Sequence, residues 1–345
     1  MGKLRFAMCG TGFWARYQLA GWRELADVEC VAVCGRSQME ANNFAGDQGI
    51  PAFYEDLETM LKRERPDFLD IVTNVDSHEE LARLGLARLV PVVCQKPLVA
   101  SLPRAEALVH DFAKSDVPLF VNENWRWQTP LREIKKSIER GTIGKVFRAR
   151  VDMISGFPVF ANQPFLRDLE QFILTDLGSH ILDVGRFLFG EVRSLYCQTQ
   201  KTLPEIRGEN VATVLLTMVT GATIIVELAY AQNPLERECF PQTLAFIEGT
   251  EGSLELCPDY WIRTTTKQET VSACYPPHHY VWADPAYDVV HSSIVPCQSN
   301  ILSGFRGGQV ETTGEDNLNT LKLVFAAYDS ARSGQAVNLQ KQGHA

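Results

Sequence analysis

A pair of glycines follows the first apolar run of the chain and precedes a segment that predicts a helix. Residues 6–9 are apolar, and the next six residues read Gly10-Thr11-Gly12-Phe13-Trp14-Ala15. In a Gly-x-Gly-x-x-Ala turn the first glycine permits a tight bend, the second removes a Cβ that would block a pyrophosphate, and the small third residue lets helix and strand pack closely. The turn predicts a dinucleotide site that includes Gly10, Thr11, Gly12, Phe13 and Trp14, although flavin and S-adenosylmethionine sites share this motif.

Short apolar runs alternate with amphipathic segments through the first third of the chain. Crossover helices are predicted at 77–89 and 103–114, and strands at residues 4–9, 30–34, 68–73, 92–95 and 119–122. Near-continuous apolar runs are typical of parallel strands covered on both faces, and their alternation with helices is typical of repeated strand-helix-strand units. We therefore predict an α/β Rossmann domain that binds the dinucleotide over residues 1–123.

From residue 124 onward the sequence changes to longer strands of alternating polarity. Hairpins are predicted at 211–218 with 222–230 and at 244–248 with 253–256, and helices at 131–140 and about 315–332. This pattern predicts an α+β domain with a large, mainly antiparallel open sheet over residues 124–345. The last helix is a candidate to pack back on the first domain.

The charge and the hydropathy pattern exclude several classes of partner. A formal net charge of -9 argues against nucleic acid, because proteins that bind it gather lysine and arginine on one face. No apolar run reaches the roughly 18 residues of a membrane span, and the first residues do not resemble a secretory signal. Nine cysteines without a Cys-x-x-Cys pair predict reduced thiols. We expect a cytoplasmic protein.

The end of the second predicted strand bears on the choice of dinucleotide. It reads Gly35-Arg36-Ser37, without the Asp or Glu that would accept hydrogen bonds from the adenosine ribose diol. A guanidinium and a hydroxyl are suited to a 2′-phosphate instead. The sequence favours NADP and leaves NAD possible, since an exposed arginine in a turn is also common.

Two further groups of residues carry side chains suited to catalysis. Lys96 lies at the carboxyl end of the fourth predicted strand, where ligands of open α/β sheets collect. Asp176 and His180 are four residues apart, so that on a helix they share one face. Together with Asp183 they have a spacing that a metal site would allow, but no further ligands cluster nearby, and we predict no metal.

The chain resembles the Gfo/Idh/MocA family of NAD(P)-dependent oxidoreductases (glucose-fructose oxidoreductase, inositol dehydrogenase and rhizopine catabolism proteins). The resemblance extends over nearly the whole chain. It rests on the glycine turn, residues 73–78 after the third predicted strand, the pair Lys96-Pro97, residues 123–126, the Asp176/His180 segment and residues 247–252. It implies a Rossmann domain, a second domain whose open sheet forms dimers or tetramers, and sugars, polyols or sugar acids as substrates.

The resemblance also assigns roles to these residues. Lys96, Asp176 and His180 correspond to the catalytic lysine and the Asp-x-x-x-His pair of the family. Hydride transfer between nicotinamide C4 and a carbinol carbon needs a proton acceptor and a group that stabilises the alkoxide. We expect His180 to be the acid or base, Asp176 to orient it or bind a hydroxyl, and Lys96 to hold the substrate oxygen.

Several residues are candidates to line the cofactor and substrate sites. Thr73, Asn74, His78 and Gln95 are expected near the nicotinamide half of the cofactor. Trp125 and Arg126 suit a sugar, because indole faces stack on sugar rings and a guanidinium binds hydroxyls or a carboxylate; the same side chains also suit packing at the domain junction. Further candidates for the substrate wall are Arg167, His278, His279 and Tyr280.

The chain departs from the family pattern at two places. It has Gln95-Lys96-Pro97 where the family usually has Glu-Lys-Pro, and the change removes an acidic neighbour of Lys96. It also has Thr73-Asn74 where the family usually has Thr-Pro. Neither change removes a reacting group. The leading hypothesis is a dehydrogenase or reductase of a sugar, polyol or sugar acid, and the alternative is a dinucleotide sensor of the same fold without turnover.

Overall fold

The computed structural model describes residues 2–231 and 242–339. The chain divides into two compact units, each with its own sheet. The first unit contains Met1–Glu123 and Ile294–Asn319, and the second contains Asn124–Ser293 and Thr320–Ala345. The predicted fold class is confirmed in both units.

Helices and strands alternate at first and then give way to consecutive strands. The helices are α1 Phe13–Arg23, α2 Gln38–Gln48, α3 Leu57–Glu64, α4 Val75–Ala87, α5 Leu102–Lys114, α6 Thr129–Glu139, α7 Val159–Asn162, α8 Ser179–Phe189, α9 Asp288–Gly304 and α10 Gly314–Ser333. The strands are β1 Leu4–Cys9, β2 Val28–Cys34, β3 Ala52–Tyr54, β4 Phe68–Ile71, β5 Val92–Gln95, β6 Leu119–Asn122, β7 Val146–Ser155, β8 Val192–Gln200, β9 Val211–Met218, β10 Thr223–Tyr230, β11 Leu244–Gly249, β12 Gly252–Leu256, β13 Trp261–Thr266, β14 Thr270–Cys274 and β15 Val337–Asn338.

The first unit has a parallel sheet with the strand order β3-β2-β1-β4-β5-β6. Every residue of β4, β5 and β6 is buried, as expected for parallel strands with helices on both faces. The strand order reverses between β1 and β4, so the carboxyl ends of these strands form the crevice where open α/β sheets bind ligands.

The segment Ile294–Asn319 packs on this sheet from outside the Rossmann repeat. Phe305 stacks on Phe68 with ring centroids 4.7 Å apart. The amide of Val121 donates to the carbonyl of Thr312 at 2.8 Å, beside the edge strand β6. The segment therefore covers apolar surface and satisfies backbone groups of the first unit.

The second unit has a sheet with the order β14-β13-β12-β11-β7-β10-β9-β8-β15. β7 and β10 run parallel, whereas β7 with β11 and β10 with β9 run antiparallel. One face of the central strands is buried and contacts α8, and the other alternates exposed and half-buried side chains. The two predicted hairpins are β9-β10 and β11-β12.

Two further observations concern the described residues as a whole. Their cysteines are free thiols, and Cys239 lies outside the described residues. Within 2–231 and 242–339, no helix has the length and apolar character required to cross a membrane.

The core of the first unit contains a carboxyl group. Asp70 lies on the central strand β4 with a side chain that is 0% exposed. It accepts hydrogen bonds from Trp22 Nε1 at 2.7 Å and from Asn122 Nδ2 at 3.1 Å. Burial raises the pKa of Asp70 to about 7, although hydrogen bonds from Trp22, Asn122 and Gln18 favour its charged form.

The raised pKa of Asp70 makes stability depend on pH. The folded chain keeps the Asp70 proton up to about pH 7, whereas the unfolded chain loses it near pH 4, so the free energy of unfolding should fall as the pH rises between these values. The fall is at most about 4 kcal/mol. Urea unfolding at pH 5 and pH 8 measures it, with Asp70→Asn as the control. An equal pH dependence in both proteins would contradict the assignment.

Candidate active site

The glycine turn between β1 and α1 is shaped by one close backbone contact. Gly10 has a φ of +121°, and a Cβ at this position would lie 2.1 Å from the carbonyl oxygen of Val72 after β4. Only glycine tolerates both this positive φ and this close contact. At Gly12 a Cβ would meet no protein atom within 4 Å, so protein packing does not explain that glycine. The space beside Gly12, next to the first N–H groups of α1, fits the pyrophosphate of a dinucleotide.

The turn after β2 is tied to the start of α2. The hydroxyl of Ser37 accepts a hydrogen bond from the amide of Glu40 at 3.2 Å and thereby caps α2. The guanidinium of Arg36 lies 3.5 Å from the Glu40 carboxylate, and its side chain is 88% exposed. Arg36 is therefore accessible to a ligand, but it has an acidic neighbour. The predicted NADP preference stays a prediction.

The loop after β4 is joined to the loop after β5 by His78. The His78 ring is buried, with Nδ1 3.0 Å from the Pro97 carbonyl oxygen and Nε2 3.0 Å from that of Thr73. Burial lowers the pKa of His78 against these hydrogen bonds, which favour its charged form. His78 therefore links the two loops that contain Thr73, Asn74 and Lys96, and its predicted cofactor contact stays a prediction.

Lys96 follows β5 at the carboxyl edge of the parallel sheet. Its backbone amide donates to Gln95 Oε1 at 3.1 Å, and Gln95 Nε2 donates to Gln18 Oε1 on α1 at 3.3 Å. The Lys96-Pro97 peptide bond is cis. The backbone of the predicted catalytic lysine is thus connected to the helix that begins at the glycine turn.

In the second unit, Asp176 and His180 flank a change of helix type. Asp176 lies in a π-helical turn over Leu174–Gly178, and His180 lies in the first turn of α8, which continues from it. A Cβ on Gly178 would be 3.3 Å from the Leu228 side chain of β10, so glycine lets the helix lie close to the sheet. Single π turns inside α-helices occur frequently at functional sites.

Asp176 and His180 differ in their surroundings. Asp176 is half-buried, and its charge adds to burial in raising the pKa of nearby Tyr230. His180 is 6% exposed and stacks on Trp125, with ring centroids 4.1 Å apart and planes 24° apart. The Trp125 indole is held in turn by a hydrogen bond from Nε1 to Thr243 Oγ1 at 3.0 Å. Trp125 therefore restricts the orientation of the His180 ring.

Arg126 is paired with Asp183 inside the second unit. Its Nε and one terminal nitrogen donate to the two Asp183 oxygens at 2.7 and 2.6 Å, and both side chains are buried. Thr320 also donates to Asp183, at 2.9 Å. Burial raises the pKa of Asp183, but Arg126 and Arg186 outweigh this effect and hold it below its ordinary value. This pairing gives Arg126 a structural role, and its predicted substrate contact stays a prediction.

The remaining candidates for the substrate wall are more exposed. Arg167 donates to the Phe160 carbonyl at 3.2 Å and lies over the Phe160 ring. His278 packs edge-on against Tyr280, and His279 lies 3.4 Å from Asp288. The structure gives each of these side chains a partner within the second unit and leaves their proposed contact with substrate untested.

Sequence patterns did not indicate one buried histidine of the second unit. His291 on α9 accepts a hydrogen bond at Nδ1 from the Asp284 amide at 3.1 Å, and its ring stacks on Tyr287. Burial lowers its pKa to about 4, so it is neutral near pH 7. No motif surrounds His291 in the sequence, and its environment is created by residues before and within α9.

Comparison with known proteins identifies the family. Residues 4–123 match the model for the oxidoreductase family with an NAD-binding Rossmann fold, and residues 131–255 match the model for the GFO/IDH/MocA C-terminal domain. The two matches cover most of the chain. The chain belongs to the Gfo/Idh/MocA family. The resemblance inferred from its motifs is confirmed.

Three relatives match the chain over nearly its full length. D-apiose dehydrogenase from Rhizobium rhizogenes is 39% identical over 98% of this chain and 98% of its own. D-apiose dehydrogenase from Paraburkholderia graminis is 39% identical over 98% of this chain and 90% of its own. An oxidoreductase from Agrobacterium radiobacter, solved in complex with NAD+, L-tartaric acid and magnesium, has a TM-score of 0.96, 38% identity and 99% coverage of both chains.

These comparisons confirm the general prediction of activity. The protein is an NAD(P)-dependent oxidoreductase that acts on CH–OH groups, in a family of sugar dehydrogenases. The enzyme hypothesis is thereby favoured over the alternative of a sensor without turnover.

The buried Arg126-Asp183 pair generates a stability prediction. Asp183→Asn should lower the free energy of unfolding by about 3–5 kcal/mol, because Arg126 and Arg186 lose the charge that compensates them in the interior. The double replacement Arg126→Met with Asp183→Leu should cost less, since it removes the pair together. Urea unfolding measures both. A larger loss in the double variant would contradict the assigned pairing.

Proposed function

We propose that this protein oxidises D-apiose, or an aldose of similar size, with a nicotinamide dinucleotide as the hydride acceptor. The observation that carries the proposal is 39% identity to two D-apiose dehydrogenases over 98% of this chain. The A. radiobacter structure contains L-tartaric acid, a small molecule with adjacent hydroxyl groups. A small substrate with adjacent hydroxyl groups is consistent with this proposal.

The catalytic roles are assigned to three side chains. When bound, the nicotinamide accepts hydride at C4 from the carbinol carbon. His180 accepts the hydroxyl proton, Asp176 orients the imidazole or binds a neighbouring hydroxyl, and the Lys96 ammonium stabilises the alkoxide that forms. In the reverse direction His180 donates the proton to the carbonyl oxygen.

The stacking of Trp125 on His180 supports the assignment of the base. An imidazole that accepts a proton becomes a cation, and an indole face attracts a cation at this separation. The hydrogen bond from Trp125 to Thr243 keeps that face in place. Trp125 is thus proposed as a residue that positions His180, besides its expected contact with the sugar.

Removing the reacting groups should abolish turnover and preserve cofactor binding. Lys96→Ala and His180→Ala should each lower kcat by about 100-fold or more, as is typical for loss of an acid-base or charge-stabilising group. Turnover of D-apiose is followed at the nicotinamide absorbance, and cofactor affinity by fluorescence titration. Lys114→Ala and His110→Ala replace exposed residues of the same types on α5 and serve as controls.

The outcome that contradicts these roles is a Lys96→Ala/His180→Ala double variant that retains turnover. A wild-type protein that binds the dinucleotide but oxidises neither D-apiose nor related aldoses, polyols or sugar acids would contradict the proposed substrate class.

The cofactor preference is a separate proposal with its own test. Gly35-Arg36-Ser37 favours NADP, whereas Glu40 lies beside Arg36 and the A. radiobacter relative was solved with NAD+. If Arg36 binds the 2′-phosphate, Arg36→Ala should weaken NADP binding about tenfold and change NAD binding little. Titration of both cofactors against both proteins measures this. A wild-type preference for NAD would make the NADP prediction wrong.

We also propose that the protein forms a homodimer or homotetramer through the exposed face of its large sheet. Leu215, Ile225, Arg150 and Phe246 lie in one cross-strand row on that face, and Leu215 and Phe246 are 41% and 42% exposed. Exposed apolar side chains grouped on a sheet commonly mark an interface. Light scattering should give a mass of two or four chains, and Phe246→Asp should reduce it. A monomer at micromolar concentration would contradict this proposal.

A further inference from the structure

The helical segment that contains Asp176 begins at Ile173, so its first amide groups have no earlier turn to bond to. Such N–H groups must find partners outside the helix, because a buried amide without a partner destabilises the fold. Here the partners come from two residues that are distant in sequence, Glu209 just before β9 and Tyr328 on α10. Both belong, like Asp176, to the second unit.

Glu209 supplies the first two partners. Its backbone carbonyl accepts from the Ile173 amide at 3.1 Å, and its Oε1 accepts from the Leu174 amide at 3.4 Å. The preceding residue packs closely on the same chain segment, since a Cβ on Gly208 would lie 2.6 Å from the Leu169 carbonyl oxygen. A carboxylate beside the first N–H groups of a helix is also favoured by the helix dipole. The start of the helical segment is therefore fixed against the chain that leads into β9.

The Tyr328 hydroxyl supplies the next partner. It donates to Glu209 Oε1 at 2.7 Å and accepts from the Thr175 amide at 3.2 Å. Because its single hydrogen points to the carboxylate, the Thr175 hydroxyl, also 3.2 Å away, must donate to it. Burial and the Glu209 charge raise the pKa of Tyr328, so the hydroxyl keeps that hydrogen. The next amide, that of Asp176, needs neither residue, because it donates to the Phe172 carbonyl at 2.9 Å.

Glu209 and Tyr328 are in turn held by residues close to them in sequence. Asn210 donates from Nδ2 to the carbonyl at the end of β10 at 2.6 Å. Ser330, two residues after Tyr328, accepts from the amide of Cys197 on β8 at 2.9 Å. The two groups that bond the start of the helical segment are therefore themselves fixed to the sheet of the second unit.

We propose that Glu209 and Tyr328 are positioning residues for Asp176. They bond the amides immediately before it, and thereby set where the Asp176 backbone enters the π turn and where its carboxylate lies relative to His180. This inference rests on the proposed catalytic roles of Asp176 and His180. A displacement of about 1 Å at a reacting group can cost about 100-fold in rate, so a small shift of this helix end should be visible in turnover.

Removing the Tyr328 hydroxyl tests the proposal. Tyr328→Phe keeps the ring and should lower kcat/KM for D-apiose about tenfold without changing the affinity for the dinucleotide. In an Asp176→Ala background the same replacement should change kcat/KM by less than about twofold, because a positioning residue has no effect once the group it positions is absent. A merely structural role predicts the same loss in both backgrounds. The matched control is Tyr54→Phe, which removes a hydroxyl that donates to Glu64 in the first unit and should change kcat/KM by less than about twofold.

Two replacements of Glu209 separate the effect of its oxygen atoms from that of its size. Glu209→Gln retains a carbonyl oxygen that can accept from the Leu174 amide and the Tyr328 hydroxyl, so kcat/KM should stay within about threefold of the wild type. Glu209→Leu has a side chain of similar length without an acceptor and should lower kcat/KM about tenfold. Rescue by the amide would show that the hydrogen bonds, and not the volume of the side chain, carry the effect.

A further measurement does not depend on turnover. In protein that contains 15N-labelled threonine, the Thr175 amide is assigned from its absence in Thr175→Ser. Its hydrogen exchange should be about tenfold faster in Tyr328→Phe, because that amide loses its acceptor. In Tyr54→Phe the exchange should stay within about threefold of the wild type.

Several results would overturn the inference. One is an equal loss from Tyr328→Phe with and without the Asp176 side chain. Others are a Glu209→Gln variant as impaired as Glu209→Leu, and a Thr175 amide whose exchange is unaffected by Tyr328→Phe. Failure of the proposed function has a different signature: the wild type does not oxidise D-apiose, while exchange of the Thr175 amide still reports on these hydrogen bonds.

Discussion

A close approach of backbone to backbone, where β1 ends beside β4, determines how the loops of the first unit are placed. Gly10 packs against the Val72 carbonyl so tightly that a Cβ would overlap it. This contact brings the glycine turn and the Thr73 loop together at the carboxyl edge of the sheet, and His78 then ties the Thr73 loop to the loop of Lys96. The relative placement of these three loops therefore depends on the absence of one side chain.

The same unit combines an apolar sheet with a buried polar interior. Most of β4, β5 and β6 is aliphatic or aromatic, yet Asp70 on β4 is buried and hydrogen-bonded to Asn122 at the end of β6. A carboxyl group at this depth weakens the fold once it ionises. The hydrogen bonds from Trp22 and Asn122 reduce this cost, because both favour the charged form of the carboxyl.

The sequence predicted what depends on local pattern. The glycine turn, the parallel strands, the two hairpins and the last helix follow from periodicity and turn chemistry, and β5 and β6 were predicted to the residue. Pairings between distant residues were not predictable: Trp125 and His180, Arg126 and Asp183, and Trp22 and Asp70 come from different elements. For Arg126 the chemistry of its side chain suggested a ligand, and only its contacts revealed a buried partner. The strand β3 was missed because three residues are too few to show a periodicity, and β7 was not singled out although Gly144 and Gly156 flank it.

The π turn over Leu174–Gly178 has a consequence for how this helix can change over evolutionary time. Relative to a regular α-helix, a π turn contains one inserted residue. A π turn takes about one more residue than an α turn to complete the same rotation, so deleting that residue would restore regular winding and leave the helix after it nearly in phase. A deletion between His180 and Asp183, where the winding is regular, would instead rotate Asp183 by about 100° around the axis and away from Arg126. Changes of chain length in this helix are therefore tolerated more easily within the π turn than in α8.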